Sequence, residues 1–82
     1  MSIILDLQNR NLRKLNDKRI IRDGYEYRIL HLGGFAQYMA IDYRKAGRKK
    51  FHYFGGISAA HCLTADDAMQ LIMDKIEKGE TK

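Results

Sequence analysis

Hydrophobic and polar residues alternate in three successive runs, at 25–32, 35–43 and 49–54. A period of two residues is typical of β-strands that bury one face and expose the other. Residues that favour turns separate the runs, so neighbouring strands can pair in the antiparallel direction. The pattern therefore predicts an antiparallel meander of three strands, with a short fourth strand before residue 23 as an alternative.

The turns between these runs contain glycine. Asp23-Gly24 accepts the positive φ angles of a type I′ turn, and Gly33-Gly34 predicts a second two-residue hairpin turn for the same reason. The polar stretch 44–48 contains one glycine and predicts a longer hairpin loop. Gly55-Gly56 is expected to end the third strand and to turn the chain towards a helix.

A helical period follows the sheet, which is expected to span 19–57. Within 64–78, apolar residues recur three and four positions apart, so an amphipathic helix is predicted with one face against the sheet. Thr64 is the candidate N-cap, with Asp67 at the capping-box position, and Gly79 is the candidate C-cap. The expected fold class is α+β, and its expected core comprises Ile29, Met39, Ile41, Leu63, Ala68, Ile72 and Ile76.

The N-terminal segment, 1–18, has no such clear period. Leu12 and Leu15 lie among basic residues and three asparagines, and asparagine amides compete with a helix for backbone partners. A basic arm and a short helix are both compatible with this segment. The whole chain of 82 residues is expected to form a single domain.

Composition narrows the class of protein. The chain is 45% hydrophobic and 30% charged, which is typical of globular proteins, and it has no run of about 18 apolar residues that could span a membrane. Its single cysteine, Cys62, excludes an intramolecular disulfide, and no signal peptide is recognisable. A cytoplasmic protein is therefore expected.

The residue types that most often carry catalysis or bind metals are few. The adjacent His61 and Cys62 lack the spacing of a structural zinc site, and neither glycine pair matches a nucleotide-binding fingerprint. Cys62 is better explained as a small apolar residue packed near the start of the helix. The sequence therefore predicts a protein that binds rather than catalyses, without a cofactor or a metal.

Positive charge is concentrated in the first half of the chain. Residues 10–50 hold twelve Lys or Arg and four Asp or Glu, whereas 51–82 hold three and five. Such asymmetry is typical of proteins with a polyanionic partner, and Lys and Arg bind phosphates with release of counterions. The candidate nucleic-acid contacts are Arg44, Lys45, Arg48, Lys49 and Lys50 of the hairpin, together with Arg13, Lys14, Arg19, Arg22 and Arg28.

Two interpretations of these charges stay open. In the first, the hairpin binds phosphates while the rings of Phe51, Tyr53 and Phe54 stack on bases or sugars. The chain is then a small nucleic-acid-binding accessory protein, and DNA is expected as its partner rather than RNA. In the second, it is an inhibitor or regulator that binds an acidic protein surface or pairs through a sheet edge. A homodimer is compatible with either, and the loop charges alone would also discourage edge pairing.

The order of strands and helix from residue 25 to residue 78 resembles known DNA-binding domains. The basic and aromatic strand 48–55 (RKKFHYFG) and the helix start 64–68 (TADDA) are similar to three-stranded domains of the AP2 type and to arm-binding domains of phage-type integrases. This resemblance implies a sheet in the major groove, with Arg28, Arg44, Arg48 and Lys50 on the DNA. The chain lacks the tryptophan of the plant members, and its link between strand and helix, 57–63, is longer than theirs.

Overall fold

The computed structural model describes the backbone of residues 3–79 and the side chains of residues 6–79. In chain order the elements are α1 (Ile3–Leu12), a 3-10 turn (Arg13–Leu15), β1 (Arg19–Arg22), β2 (Tyr25–Gly33), β3 (Tyr38–Lys45), β4 (His52–Ser58) and α2 (Ala65–Lys78). The four strands form one antiparallel sheet in the order β1-β2-β3-β4. The predicted α+β meander is confirmed, and the N-terminal segment begins with a short helix.

The first two hairpins differ in how well the sequence predicts them. Asp23 and Gly24 have φ angles of 52° and 81° and connect the paired residues Arg22 and Tyr25, which confirms the two-residue turn.

The prediction of a second two-residue turn, at Gly33-Gly34, was wrong. Strand β2 continues to Gly33, and residues 34–37 form a turn closed by a hydrogen bond from the Gln37 amide to the Gly34 carbonyl (3.2 Å). The Gln37 side chain is buried and its Oε1 accepts a hydrogen bond from His31 Nε2 (2.7 Å). Residue 37 therefore lies in the turn and not in the strand, and Phe35, a predicted strand residue, is 88% exposed in the same turn.

The prediction that Gly55-Gly56 ends a strand was also wrong. Both glycines lie inside β4, where Gly55 pairs with Ile41 and Gly56 pairs with Ala40. The Tyr38 ring lies directly against Gly56, so close that a Cβ at position 56 would overlap the Tyr38 hydroxyl. Gly56 therefore leaves room for the Tyr38 ring of the neighbouring strand to pack against the backbone of β4.

Helix α2 covers one face of the sheet. The Thr64 hydroxyl accepts a hydrogen bond from the Asp67 amide (3.2 Å), and Gly79 has a left-handed φ of 59°, so both predicted caps are confirmed. Ala68, Ile72 and Ile76 of the helix are buried in one cluster with Ile29, Met39 and Ile41 of the sheet. Neither helix in residues 3–79 is long and apolar enough to cross a membrane.

The N-terminal elements complete the core. Leu12 and Leu15 are buried in the cluster, and Gln8 Nε2 donates hydrogen bonds to the carbonyl oxygens of Ala60 (2.7 Å) and Cys62 (2.8 Å). These bonds fix the segment before α2 so that the Cys62 side chain points inward. Leu63, predicted as core, is instead 48% exposed, and its neighbour Cys62 is buried in the core.

Candidate nucleic-acid interface

The sheet face opposite α2 carries a cluster of charged side chains around one aromatic ring. The Cζ atoms of Arg28, Arg44 and Arg19 lie 4.2, 4.3 and 5.4 Å from the centroid of the Phe51 ring. Guanidinium groups at such distances are attracted by the ring electrons. We call this face the open face, and the Phe51 cluster on it consists of Arg19, Glu26, Arg28, Asp42, Arg44 and Phe51.

Two carboxylates compensate the arginines of the Phe51 cluster. Glu26 accepts hydrogen bonds from Arg19 Nη1 (2.8 Å) and Arg44 Nε (2.8 Å), and Asp42 accepts one from Arg28 Nη2 (3.0 Å). The hydrogen bond from Arg19, followed by that from Arg44, lowers the pKa of Glu26 from its ordinary value. The same bond to Glu26 raises the pKa of Arg19. The three arginines are therefore engaged within the protein.

The loop between β3 and β4 is anchored at three points. The Ala46 amide donates a hydrogen bond to the Gly24 carbonyl in the first hairpin turn (2.9 Å), and Arg44 Nη1 donates one to the Lys49 carbonyl (3.1 Å). Phe51, at the end of the loop, is held in the Phe51 cluster. These contacts fix the backbone of the loop, whose side chains then point into solvent.

The side chains of this loop form the candidate phosphate-binding surface. Four cations lie within six residues, all are exposed, and none forms an ion pair with a described residue. Uncompensated cations at this density favour a polyanion, because binding releases its counterions. We call residues 45–50 the basic loop, and its cations are Lys45, Arg48, Lys49 and Lys50.

A pocket of about 550 Å³ lies beside the basic loop. The rings of Tyr25, Tyr43 and His52 line it together with the four cations of the loop. The Tyr25 and Tyr43 centroids are 6.1 Å apart, and those of Tyr43 and His52 are 5.8 Å apart. We call this the tyrosine pocket, and it combines aromatic rings with positive charge.

The aromatic neighbours of the basic loop are not those the sequence pointed to. Phe51 lies under the arginines, Phe54 makes an edge-to-face contact with Tyr27 (5.4 Å), and the Tyr53 hydroxyl lies 3.1 Å from that of Tyr38 on the open face.

Sequence reasoning missed the tyrosine pocket. The two-residue turn predicted at Gly33-Gly34 sets a register that would put Tyr25 and Tyr43 on opposite faces of the sheet. In the structure Tyr25 pairs with Lys45 instead, and this register brings both tyrosines to one face beside the loop.

Two of the remaining candidate contacts, Arg13 and Lys14, lie apart from the basic loop. Lys14 lines a small pocket with Thr64 and Asp66 at the start of α2, whereas the tyrosines of the tyrosine pocket adjoin Ile76 at its end. A helix of 14 residues is about 21 Å long, so Lys14 and its exposed neighbour Arg13 are well separated from the loop.

Arg22 differs from the cations of the basic loop because it is held in an ion pair with α2. It lies on the face that α2 covers, and its Nη2 donates a hydrogen bond to Glu77 Oε2 of the helix (3.2 Å). The fold therefore divides the predicted contact residues into the basic loop, the Phe51 cluster, the pair Arg13 and Lys14 near the start of α2, and Arg22.

The described residues offer little for metal binding or nucleophilic chemistry. They contain no group of three or more His, Cys, Asp or Glu residues arranged to hold a metal ion. Cys62 is buried, and burial raises the pKa of its thiol, which disfavours the reactive thiolate. This environment fits the packing role that the sequence predicted for Cys62.

Comparison with known proteins found no matching family model, no matching curated protein and no matching solved structure. The resemblance to AP2-type and integrase arm-binding domains therefore stays a prediction. The assignment of a function rests on the geometry of the basic loop and its surroundings.

Proposed function

We propose that this protein is a small, non-enzymatic nucleic-acid-binding accessory protein that uses the basic loop to bind phosphates. One observation carries the proposal: Lys45, Arg48, Lys49 and Lys50 are exposed, without ion pairs in the described chain, on a loop whose backbone is anchored. An anchored loop loses little conformational freedom on binding, so its charges contribute more fully to affinity. The order of strands and helix that resembles AP2-type domains favours DNA over RNA, and a cytoplasmic location fits the single cysteine.

The proposal gives the open face a smaller part than the resemblance implies. Binding of phosphate by Arg28 or Arg44 would compete with the hydrogen bonds that these side chains make to Asp42 and Glu26. Removing one partner of such a pair leaves the other charge uncompensated, which opposes binding. The cations of the basic loop face no such competition.

Fluorescence anisotropy with a labelled random DNA duplex and a matching single strand tests this function. Measurements at about 50 and 200 mM salt are expected to show affinity falling steeply, because each phosphate contact contributes about 0.9 to the slope of log K against log salt. With four cations in contact, the slope on duplex DNA is expected to be about −3 to −4.

Two charge-reversed variants locate the surface. The triple variant Arg48→Glu, Lys49→Glu, Lys50→Glu is expected to lose binding and to stay folded, because these side chains are exposed. Arg13→Glu with Lys14→Glu changes two exposed cations near the start of α2 and is the matched control. Binding that is absent at the lower salt, or that the triple variant retains, would contradict the proposal.

A second candidate function is interaction with a protein. Among residues 3–79, strand β4 pairs with β3 alone, and none of its seven residues is charged or proline. Edge strands usually carry such residues to prevent pairing with other chains, so β4 is suited to add a strand from a partner or from a second copy. Sedimentation and capture experiments with wild type and Tyr53→Lys test this alternative, because an added lysine in the edge strand should abolish any complex.

A further inference from the structure

The tyrosine pocket has the chemistry of a nucleotide site. Its lining contains aromatic rings and cations, and no carboxylate of the described residues takes part in it. A volume of about 550 Å³ falls in the range of sites for small molecules. A flat ring joined to a phosphate matches this lining, because the ring can stack on an aromatic face while the phosphate meets the cations.

The neighbouring cleft determines the orientation of such a ligand. This cleft of about 380 Å³ shares Tyr25 and Tyr43 with the tyrosine pocket, and Asp23 and Glu77 line it further on. Both carboxylates pair with Arg22, so among the described residues this cleft offers phosphate no uncompensated cation, whereas the cations of the basic loop attract it. The phosphates therefore belong on the loop side and the flat ring on the tyrosine side.

Only an unpaired base can use this arrangement. In a duplex the faces of the bases are stacked on one another, whereas bases of single strands stack on aromatic side chains. Tyr25 is 37% exposed, so part of its ring is accessible from solvent. We propose that the tyrosine pocket holds one unpaired base of a single-stranded nucleic acid against Tyr25, while the basic loop binds the flanking phosphates. This inference rests on the proposed function and narrows its target to single strands.

Fluorescence anisotropy can separate the contribution of the base from that of the phosphates. The probes are a labelled thymidine oligomer of roughly twelve nucleotides, an abasic oligomer of the same length and the corresponding duplex. The thymidine oligomer is expected to bind about 10-fold more tightly than the abasic oligomer, since stacking of one base contributes affinity of that order. A uridine oligomer that shows the same dependence on its bases supports the proposal with RNA as the source.

Variants of Tyr25 test the pocket itself. Tyr25→Ala is expected to abolish the 10-fold preference for the thymidine oligomer, whereas Tyr25→Phe retains the ring and the preference. Tyr53→Ala removes a tyrosine of the open face that is 61% exposed, and it is expected to change nothing. Thermal unfolding monitored by circular dichroism verifies that each variant is folded, and Tyr25→Leu replaces Tyr25→Ala if the latter is not.

The outcomes distinguish this inference from the proposed function. Equal affinity for the thymidine and abasic oligomers, or a preference that survives Tyr25→Ala (or Tyr25→Leu where it replaces Tyr25→Ala), overturns the tyrosine pocket as a base site. In that case binding that the loop triple variant abolishes still supports the basic loop. Absence of binding to every probe at about 50 mM salt overturns both proposals.

Discussion

The Phe51 cluster and the basic loop are neighbouring sources of positive charge, but their surroundings differ. Arg19, Arg28 and Arg44 each have a carboxylate oxygen within 3.0 Å, and all three contact the Phe51 ring. The cations of the basic loop are exposed and have no carboxylate partner in the described part of the chain. The arginines of the cluster therefore hold the loop against the sheet, whereas the loop presents charge to a partner.

The two groups of cations differ in the interactions that each cation would lose on binding a phosphate. A guanidinium of the cluster would exchange an existing carboxylate for a phosphate, so the net gain is small. A cation of the loop gives up only water and counterions, and it releases the counterions of the polyanion in return. The cluster still contributes indirectly, because Arg44 and Phe51 fix the loop before any partner arrives.

Removing the Phe51 ring is expected to cause the largest loss of stability. Phe51→Ala deletes the surface on which three guanidinium groups lie, and the half-buried ring should contribute about 2 kcal/mol to the free energy of unfolding. Urea denaturation followed by circular dichroism measures the change. Phe35→Ala is the matched control, because Phe35 is 88% exposed and its loss should alter stability by less than about 0.5 kcal/mol. Equal losses in the two variants would contradict a structural role for the cluster.

A smaller loss of stability is expected from a substitution of Gly56, at the far end of the open face. Gly56→Ala would push a Cβ into the Tyr38 ring, so the ring must shift and the free energy of unfolding should fall by about 1 kcal/mol. Gly55→Ala is the comparison, because its Cβ would approach the end of the Lys75 side chain, with Cε at 2.8 Å and Nζ at 3.4 Å, and the end of a lysine side chain can shift. Thermal unfolding of both variants measures the difference. A Gly55→Ala variant less stable than Gly56→Ala would contradict the close approach of Tyr38.

The elements that the sequence predicts well are those set by their immediate neighbours. The turn at Asp23-Gly24 and the caps Thr64 and Gly79 depend on contacts within four residues along the chain, and all three are confirmed. Gly56 and Gln37 are different, because their roles depend on Tyr38 and on His31 across a strand or a turn. The sequence contains those partners, but pairing register decides whether they meet.

The same limit applies to the candidate site. Counting charges located the basic loop, yet the count did not distinguish Arg44 from Lys45. Their difference comes from the sheet: Glu26 pairs with Arg44 across β2 and β3, while Tyr25 pairs with Lys45 on the other face. The tyrosine pocket likewise depends on a β3–β4 loop that returns beside the end of β2, which composition does not reveal.

Acid titration of the Phe51 cluster is expected to change stability by less than either Phe51→Ala or Gly56→Ala. The lowered pKa of Glu26 means that its ion pairs stabilise the fold at neutral pH, above the ordinary carboxyl value, and that this contribution is lost as the pH falls through the lowered value. Glu26→Gln should therefore be less stable than wild type at neutral pH, with a gap that narrows as the pH falls through the lowered pKa of Glu26. Urea midpoints across this range measure the gap.

The control for this titration is Glu77→Gln, which removes the exposed ion pair with Arg22 at 3.2 Å. Exposed pairs contribute little, so its gap from wild type should be smaller than that of Glu26→Gln at neutral pH. A gap for Glu26→Gln that stayed constant from neutral to acid conditions would show that the carboxylate is not what stabilises the cluster.

The smallest effect on stability is expected from the basic loop itself. The triple variant Arg48→Gln, Lys49→Gln, Lys50→Gln removes three exposed charges without ion pairs in the described chain, so the free energy of unfolding should change by less than about 0.5 kcal/mol. The free energy of unfolding can rise slightly as well as fall slightly, because the loop concentrates like charges that repel one another and their removal relieves this repulsion. Urea denaturation at low salt measures the change, with Arg44→Gln as the comparison inside the cluster. A triple variant that lost more stability than Arg44→Gln would mean that the cations of the basic loop support the fold. The distinction between cations that stabilise the fold and cations that are exposed to a partner would then be wrong.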